Sequence, residues 1–212
     1  MNKKLTLAKI KAFKNTSFKK VCLTATIDSK PFKVFLLTKG IENNYSMMER
    51  LGRWRKENEK WYLSQFPISP RRTKLWFVYH VTAQPDRLLF IISKNGKYIG
   101  HVGLFRFDFL RDCAEIDNVL RGEKEFKGIM GISILAVMRW GEQNLDIKKY
   151  SLKVLSDNTR AVRLYEKLGF KTVKKIPLYY EDSKTDGKIL VEGTSGKKVK
   201  EYLVMNFYKK KL

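Results

Sequence analysis

"SDNTRAVRLYEKLGF", residues 156–170, is the stretch on which the fold turns. Asp157 and Asn158 are short polar residues of the kind that cap a helix start. Gly169 suits the left-handed position just past a helix end. Between them Ala161, Leu164, Tyr165 and Leu168 recur at spacings of three and four and form an inward stripe. Asn158 and Tyr165 lie two turns apart, nearly on one face. Tyr165 is therefore either a half-buried aromatic or a phenol placed to donate a proton.

Working outward, "YSLKVL" (150–155) reads as a strand feeding this helix, and "KGIMGISILAVMRWGEQNL" (127–145) as a long helix before it. Its apolar Ile129, Ile132, Ala136 and Trp140 keep helical spacing. Upstream lies a meander: "RLLFIIS" and "KYIGHVGLFRF" flank Asn95-Gly96, a two-residue hairpin turn, and "DCAEIDNVL" (112–120) alternates as a third strand. Downstream, "FKTVKKIPLYY" and "KEYLVMNFY" read as strands around a polar hairpin excursion (181–200). Before the meander come a strand "FKVFLL" (32–37), a helix within 43–66 capped by Ser46 and broken at Pro67 and Pro70, and a second helix over 71–83. This order predicts an α/β (α+β) fold with a mixed, mostly antiparallel central sheet and helices on both faces. The 127–145 crossover should be right-handed and join parallel strands.

Residues 1–20 hold seven lysines and no acid, and are expected to be a basic arm or peripheral element on a single domain spanning 21–212. Across 212 residues, hydrophobic content of 43% argues against wholesale disorder. No apolar run is long enough to span a bilayer, and the N-terminus lacks a secretory h-region. Cys22 and Cys113 fit no metal spacing and read as free thiols in a reducing cytoplasm. A net charge of +23 attracts polyanions, be they nucleic acid, anionic surfaces, phosphorylated cofactors or nucleotide-linked substrates.

The loop "RGEKEFKG" (121–128) joins a strand to the long helix. Gly122 and Gly128 permit a tight turn and close ligand approach. The free N–H groups at the helix start, with Lys124 and Lys127, form an anion site suited to a pyrophosphate.

This loop and "NTRAVRLYEKLGF" together resemble the GNAT superfamily of N-acetyltransferases over roughly residues 86–210, with a cofactor-binding core at about 86–175. The resemblance implies acetyl-CoA as acetyl donor, held by Val119, Leu120, Arg121, Lys127, Gly128, Ile129, Met130 and Asn158, and no metal. Two positions depart from the family's loop pattern: Glu125 stands where Arg or Gln is usual, and Met130 where Gly or Ala is usual. The resemblance further implies a base on the strand before the loop, Glu115 first and Asp117 next, two residues apart and so on one face. It gives backbone N–H groups near Val119 and Leu120 the developing oxyanion, and Tyr165 the protonation of the departing thiolate. His101 is a reserve base; His80 is read as structural. Trp54, Trp61 and Tyr62 belong either to core packing, the favoured reading, or to a surface that stacks on an acceptor.

A narrower similarity, from phrases such as "EIDNVLRGEK", points to acetyltransferases of bacterial surface-polysaccharide and flagellin-sugar pathways. The expected acceptor is therefore the amine of a nucleotide-linked amino sugar. A peptide N-terminus, polyamine or antibiotic is the alternative. A nucleic-acid-binding role is not favoured, because lysines and aromatics do not interleave on one face. A homodimer is left open.

Overall fold

The computed structural model describes residues 1–63, 67–183, 187–193 and 198–208. A nine-stranded sheet runs in the order β1-β2-β3-β4-β5-β6-β9-β7-β8. Its strands are β1 (Cys22–Ile27), β2 (Lys30–Leu36), β3 (Leu88–Lys94), β4 (Lys97–Asp108), β5 (Cys113–Arg121), β6 (Lys149–Leu155), β7 (Phe170–Ser183), β8 (Gly187–Glu192) and β9 (Lys200–Phe207). The helices are α1 (Lys3–Lys14), α2 (Tyr45–Glu57), α3 (Pro70–Phe77), α4 (Ile129–Leu145) and α5 (Thr159–Leu168). Among the described residues only β5 and β6 pair in parallel, joined by the α4 crossover; every other neighbour is antiparallel. The architecture is the mixed, mostly antiparallel α/β sheet expected from the element order.

Two main cores form, one on each face, beside a small third cluster of Leu155, Leu178 and Leu190. Ile129, Ile134 and Val137 of α4 and Tyr165 of α5 pack with Leu88, Phe90 and Ile92 of β3. On the other face Met47, Met48, Leu51 and Trp54 of α2 and Phe77 of α3 pack on Leu89 and Ile91. The alternation along β3 assigns its even residues to the α4 side and its odd ones to the α2 side.

The first correction concerns residues 1–20. The expected basic arm is for the most part helix α1, docked on the sheet. Asn2 caps it by accepting from the Leu5 N–H at 3.0 Å, and Thr6, Ile10 and Lys14 form its buried stripe. Phe13 meets Trp140 of α4 edge-on at 5.1 Å. Lys14 donates to the carbonyls of Val81, Thr82 and Gln84, closing the irregular turn after α3. Lysine spacing hid this helix because its apolar stripe is narrow and ends in a lysine. A smaller correction falls on α2, where Asn44 rather than Ser46 is the cap, accepting from the Met47 N–H at 3.0 Å. Residues 64–66, the end of that expected helix, and 184–186 and 194–197, within the polar excursion, lie outside the described residues.

Candidate active site

The parallel ladder between β5 and β6 lasts only three residues, Cys113–Lys149 to Glu115–Ser151. Beyond it β6 follows β9, while β5 bends away at a bulge where Asn118 takes a left-handed φ of +48°. His101 on β4 stabilises that bend, its Nδ1 lying 2.6 Å from the Asn118 carbonyl. A carbonyl only accepts, so this nitrogen carries the proton. Burial holds the His101 pKa down at about 4, which keeps the ring neutral. His101 is not among the residues lining the cleft.

The splayed strands open a cleft of about 580 Å³, in the range of sites for cofactor-sized ligands. Along one wall runs β5 from Glu115 to Arg121, without a strand partner on its β6 side after Glu115. Opposite stand Lys153, Val154 and Leu155 of β6, then Asn158, Ala161, Leu164 and Tyr165 of α5. Gly128, Met130 and Gly131 close one end.

Asn158 caps α5, its Oδ1 accepting from the Ala161 N–H at 3.2 Å. Its Nδ2 has no partner among the described residues. Tyr165 is 6% exposed and lines the cleft. Its ring packs edge-on against Phe170 at 6.0 Å, and its hydroxyl has no partner among the described residues. Burial pushes its pKa up, so the phenol keeps its proton. Gly169 closes α5 at φ +104°.

Val119, Leu120 and Arg121 line the β5 wall. The Arg121 guanidinium is turned into the loop, donating to the carbonyls of Glu123, Lys124 and Glu125. It shapes the turn that leads to α4. Gly128 begins α4 at φ +89° without a side-chain cap. Ile129 and Met130 are buried; Lys127 is exposed.

Glu115 and Asp117 both reach the cleft, and each is held by an arginine. Arg106 donates to Glu115 at 2.6 Å. Arg87 donates to Asp117 through Nε at 2.9 Å and a terminal nitrogen at 2.6 Å, while also bonding the His80 carbonyl. Burial raises the Glu115 pKa, with Arg106 working against that rise. Glu115 is thus a carboxylate with enhanced proton affinity beside the strand edge.

The second half of the cleft was only partly readable from sequence. Arg55, Asn58, Trp61, Tyr62 and Trp76 come from and around α2 and α3, and Glu192 and Tyr202 from β8 and β9. Trp61 and Tyr62 line it, but Trp54 does not: it is fully buried against Gly122, its Nε1 donating to Glu123 at 2.9 Å.

The comparisons agree with this geometry. Residues 46–171 match the model of the GNAT acetyltransferase domain, more than half the chain. This chain belongs to the GNAT acetyltransferase family. Members of that family are N-acetyltransferases that draw on acetyl-CoA. The chain is 30% identical over 105 residues to the "N-acetyltransferase 9-like protein" of Caenorhabditis elegans, covering 42% of this chain and 52% of that one. It therefore spans about half the length of that curated relative. Among solved structures it is similar to spermidine N-acetyltransferase from Vibrio cholerae with CoA and spermine, at TM-score 0.60 and 17% identity over 83% of this chain and 94% of that one. RimL, a ribosomal L7/L12 alpha-N-protein acetyltransferase, gives TM-score 0.61 at 11% identity over 88% and 94%. At these identities the structures speak for the fold.

The cleft suits acetyl-CoA on its own chemistry. An uncapped helix start faces its end, an unpaired strand edge lines its wall, and an open phenol stands across from that edge. Among the described residues no cluster of side chains is fit to hold a metal, and no helix is long and apolar enough to cross a membrane.

Proposed function

We propose that this protein transfers acetyl from acetyl-CoA to a primary amine carried on an anionic acceptor, a nucleotide-linked amino sugar. One observation carries the choice of acceptor. Among the described residues, every carboxylate lining the cleft is tied to a basic residue: Glu115 to Arg106, Asp117 to Arg87, and Glu192 to Lys153. A polyamine needs carboxylates to receive its several charges, and a chain of net charge +23 repels it at long range. A phosphate-bearing acceptor meets the opposite conditions, with Trp61, Tyr62, Trp76 and Tyr202 as apolar surface for a sugar or base.

The acetyl-CoA thioester supplies the activated acyl group. Val119, Leu120, Gly128, Met130 and Asn158 hold the donor along the β5 edge and the α4 start, with Arg121 shaping the loop and Lys127 adding charge. Glu115 takes the proton from the incoming amine, its raised pKa matching that task; Asp117 is the second candidate. Backbone N–H groups of β5 near Val119 and Leu120 donate to the oxygen on which charge develops. Tyr165 delivers its proton to the departing sulfur. The setting is a reducing cytoplasm, in keeping with two free thiols.

A second reading, the α-amino group of a polypeptide, draws on RimL, whose fold covers 88% of this chain. Measuring CoA release with UDP-linked amino sugars, acidic peptides and spermidine separates the readings. We expect turnover with the amino sugars and none with spermidine. Preferred turnover of spermidine would overturn the acceptor assignment.

A further inference from the structure

The two oxygens of the Asp117 carboxylate are treated very differently. Oδ2 accepts from Arg87 Nε at 2.9 Å, from a terminal nitrogen of Arg87 at 2.6 Å and from the Asn118 side-chain amide at 2.8 Å. Oδ1 accepts from no group among the described residues, yet it is not sealed away from solvent. Asp117 lines the cleft, so the oxygen left over is available to whatever fills that cleft. Arg87 is only 13% exposed, and its remaining terminal nitrogen is committed to the His80 carbonyl. It therefore holds Asp117 in one orientation. Arg106 differs: it is 56% exposed and meets Glu115 through a single nitrogen. Glu115 also keeps one oxygen, Oε2, without a partner among the described residues, but on a looser tether.

The backbone puts these carboxylates side by side. Glu115 and Asp117 share one face of β5. The parallel ladder to β6 ends at Glu115, so Asp117 is the first residue on that face past the split. Its cross-strand neighbour on β4 is Gly103, which has no side chain to cover it. After burial, the charge of Asp117 is what raises the pKa of the Tyr165 phenol, so the carboxylate acts across the cleft on that hydroxyl. An ionised carboxylate with an oxygen to spare is the natural receiver of an ammonium group.

We propose that Asp117 binds the ammonium of the acceptor through Oδ1 and so selects an amine over a hydroxyl, while Glu115 takes the proton. The bound ammonium gives one proton to the open oxygen of Glu115, and the nitrogen lone pair so freed attacks the thioester carbonyl. One open oxygen on Asp117 serves one ammonium, which suits an acceptor with a single amine. This rests on acetyl transfer to a primary amine, and not on what that amine is attached to.

Steady-state kinetics on the full chain test it, with a UDP-linked amino sugar and an acidic peptide as acceptors. The counterpart of each with a hydroxyl in place of the amine serves as a competitive inhibitor. Asp117→Asn removes the charge but keeps an oxygen to which an O–H can donate. For the acceptor that is acetylated, we expect KM to rise about tenfold, the inhibition constant of the hydroxyl counterpart to stay unchanged, and acetyl-CoA affinity in calorimetry to hold. Loss of the carboxylate strands Arg87, so Asp117→Asn combined with Arg87→Gln repeats the measurement without an unpaired charge. Unchanged acceptor KM in both variants overturns the proposal. Equal weakening of the amine and its hydroxyl counterpart also overturns it and leaves Asp117 a support for the cleft wall. A collapse of kcat at unaltered KM overturns it too, and makes Asp117 the base. The fate of the nucleotide-sugar reading shows separately: turnover of the peptide in place of the sugar removes that reading, and the Asp117→Asn shift is then read on the peptide.

Discussion

The two halves of the cleft are built in different ways. The donor half comes from two continuous segments, 113–131 and 149–165, each a strand running into a helix start. Its key groups are backbone N–H groups, a cap and a phenol, which local geometry positions. The acceptor half is gathered from α2, α3, β4, β8 and β9 around Glu115 and Asp117 of β5, and its carboxylates are defined by partners outside their own strands. A site made of contiguous turns can be read from spacing. One made of cross-strand ion pairs cannot, because register and bulges decide who meets whom.

The largest test of this contrast is Tyr165→Phe. The ring keeps its contact with Phe170, and only the donor-half phenol is lost. On the proposed role, kcat should fall by roughly 10²- to 10⁴-fold while the affinity for acetyl-CoA stays put. Unaltered turnover at an unaltered melting temperature would leave Tyr165 with packing alone.

Next in size is Gly122→Ala, at the seam between the halves. A Cβ there would drive into the Trp54 indole, which sits against the loop and bonds Glu123. The helix α2 that carries acceptor-side residues would have to move away from the donor loop. We expect a loss of about 2–3 kcal/mol in unfolding free energy, read by urea denaturation, with both substrates bound more weakly. A variant as stable as the parent would mean that the two halves are not joined through Trp54.

The smallest effect belongs to Arg106→Met in the acceptor half. Arg106 opposes the burial-driven rise of the Glu115 pKa. Without it that pKa climbs further, so the carboxylate stays protonated to higher pH. The acidic limb of kcat/KM should therefore move upward. A limb that stays in place or moves downward would remove Glu115 as base and pass the role to Asp117.

Sequence alone determined the α5 motif, the α4 crossover, the Asn95-Gly96 hairpin and the sheet class, since each rests on local periodicity, caps and turn residues. It misread residues 1–20, where the docking of α1 on Trp140 outweighs the solubility of its lysines. It left Trp54 between core packing and acceptor stacking, and the close approach to Gly122 buries it in the core. It named Glu115 and Asp117 without being able to say which arginine each meets. The tertiary structure decided those matters: the bulge at Asn118 parts β5 from β6, cross-strand register brings Arg106 to Glu115 and Arg87 to Asp117, and burial sets the proton affinity of Glu115. Spacing along a chain fixes which neighbours a residue has within a turn or two of helix. Proton affinity and charge pairing depend on groups tens of residues away, and only the folded sheet sets those distances.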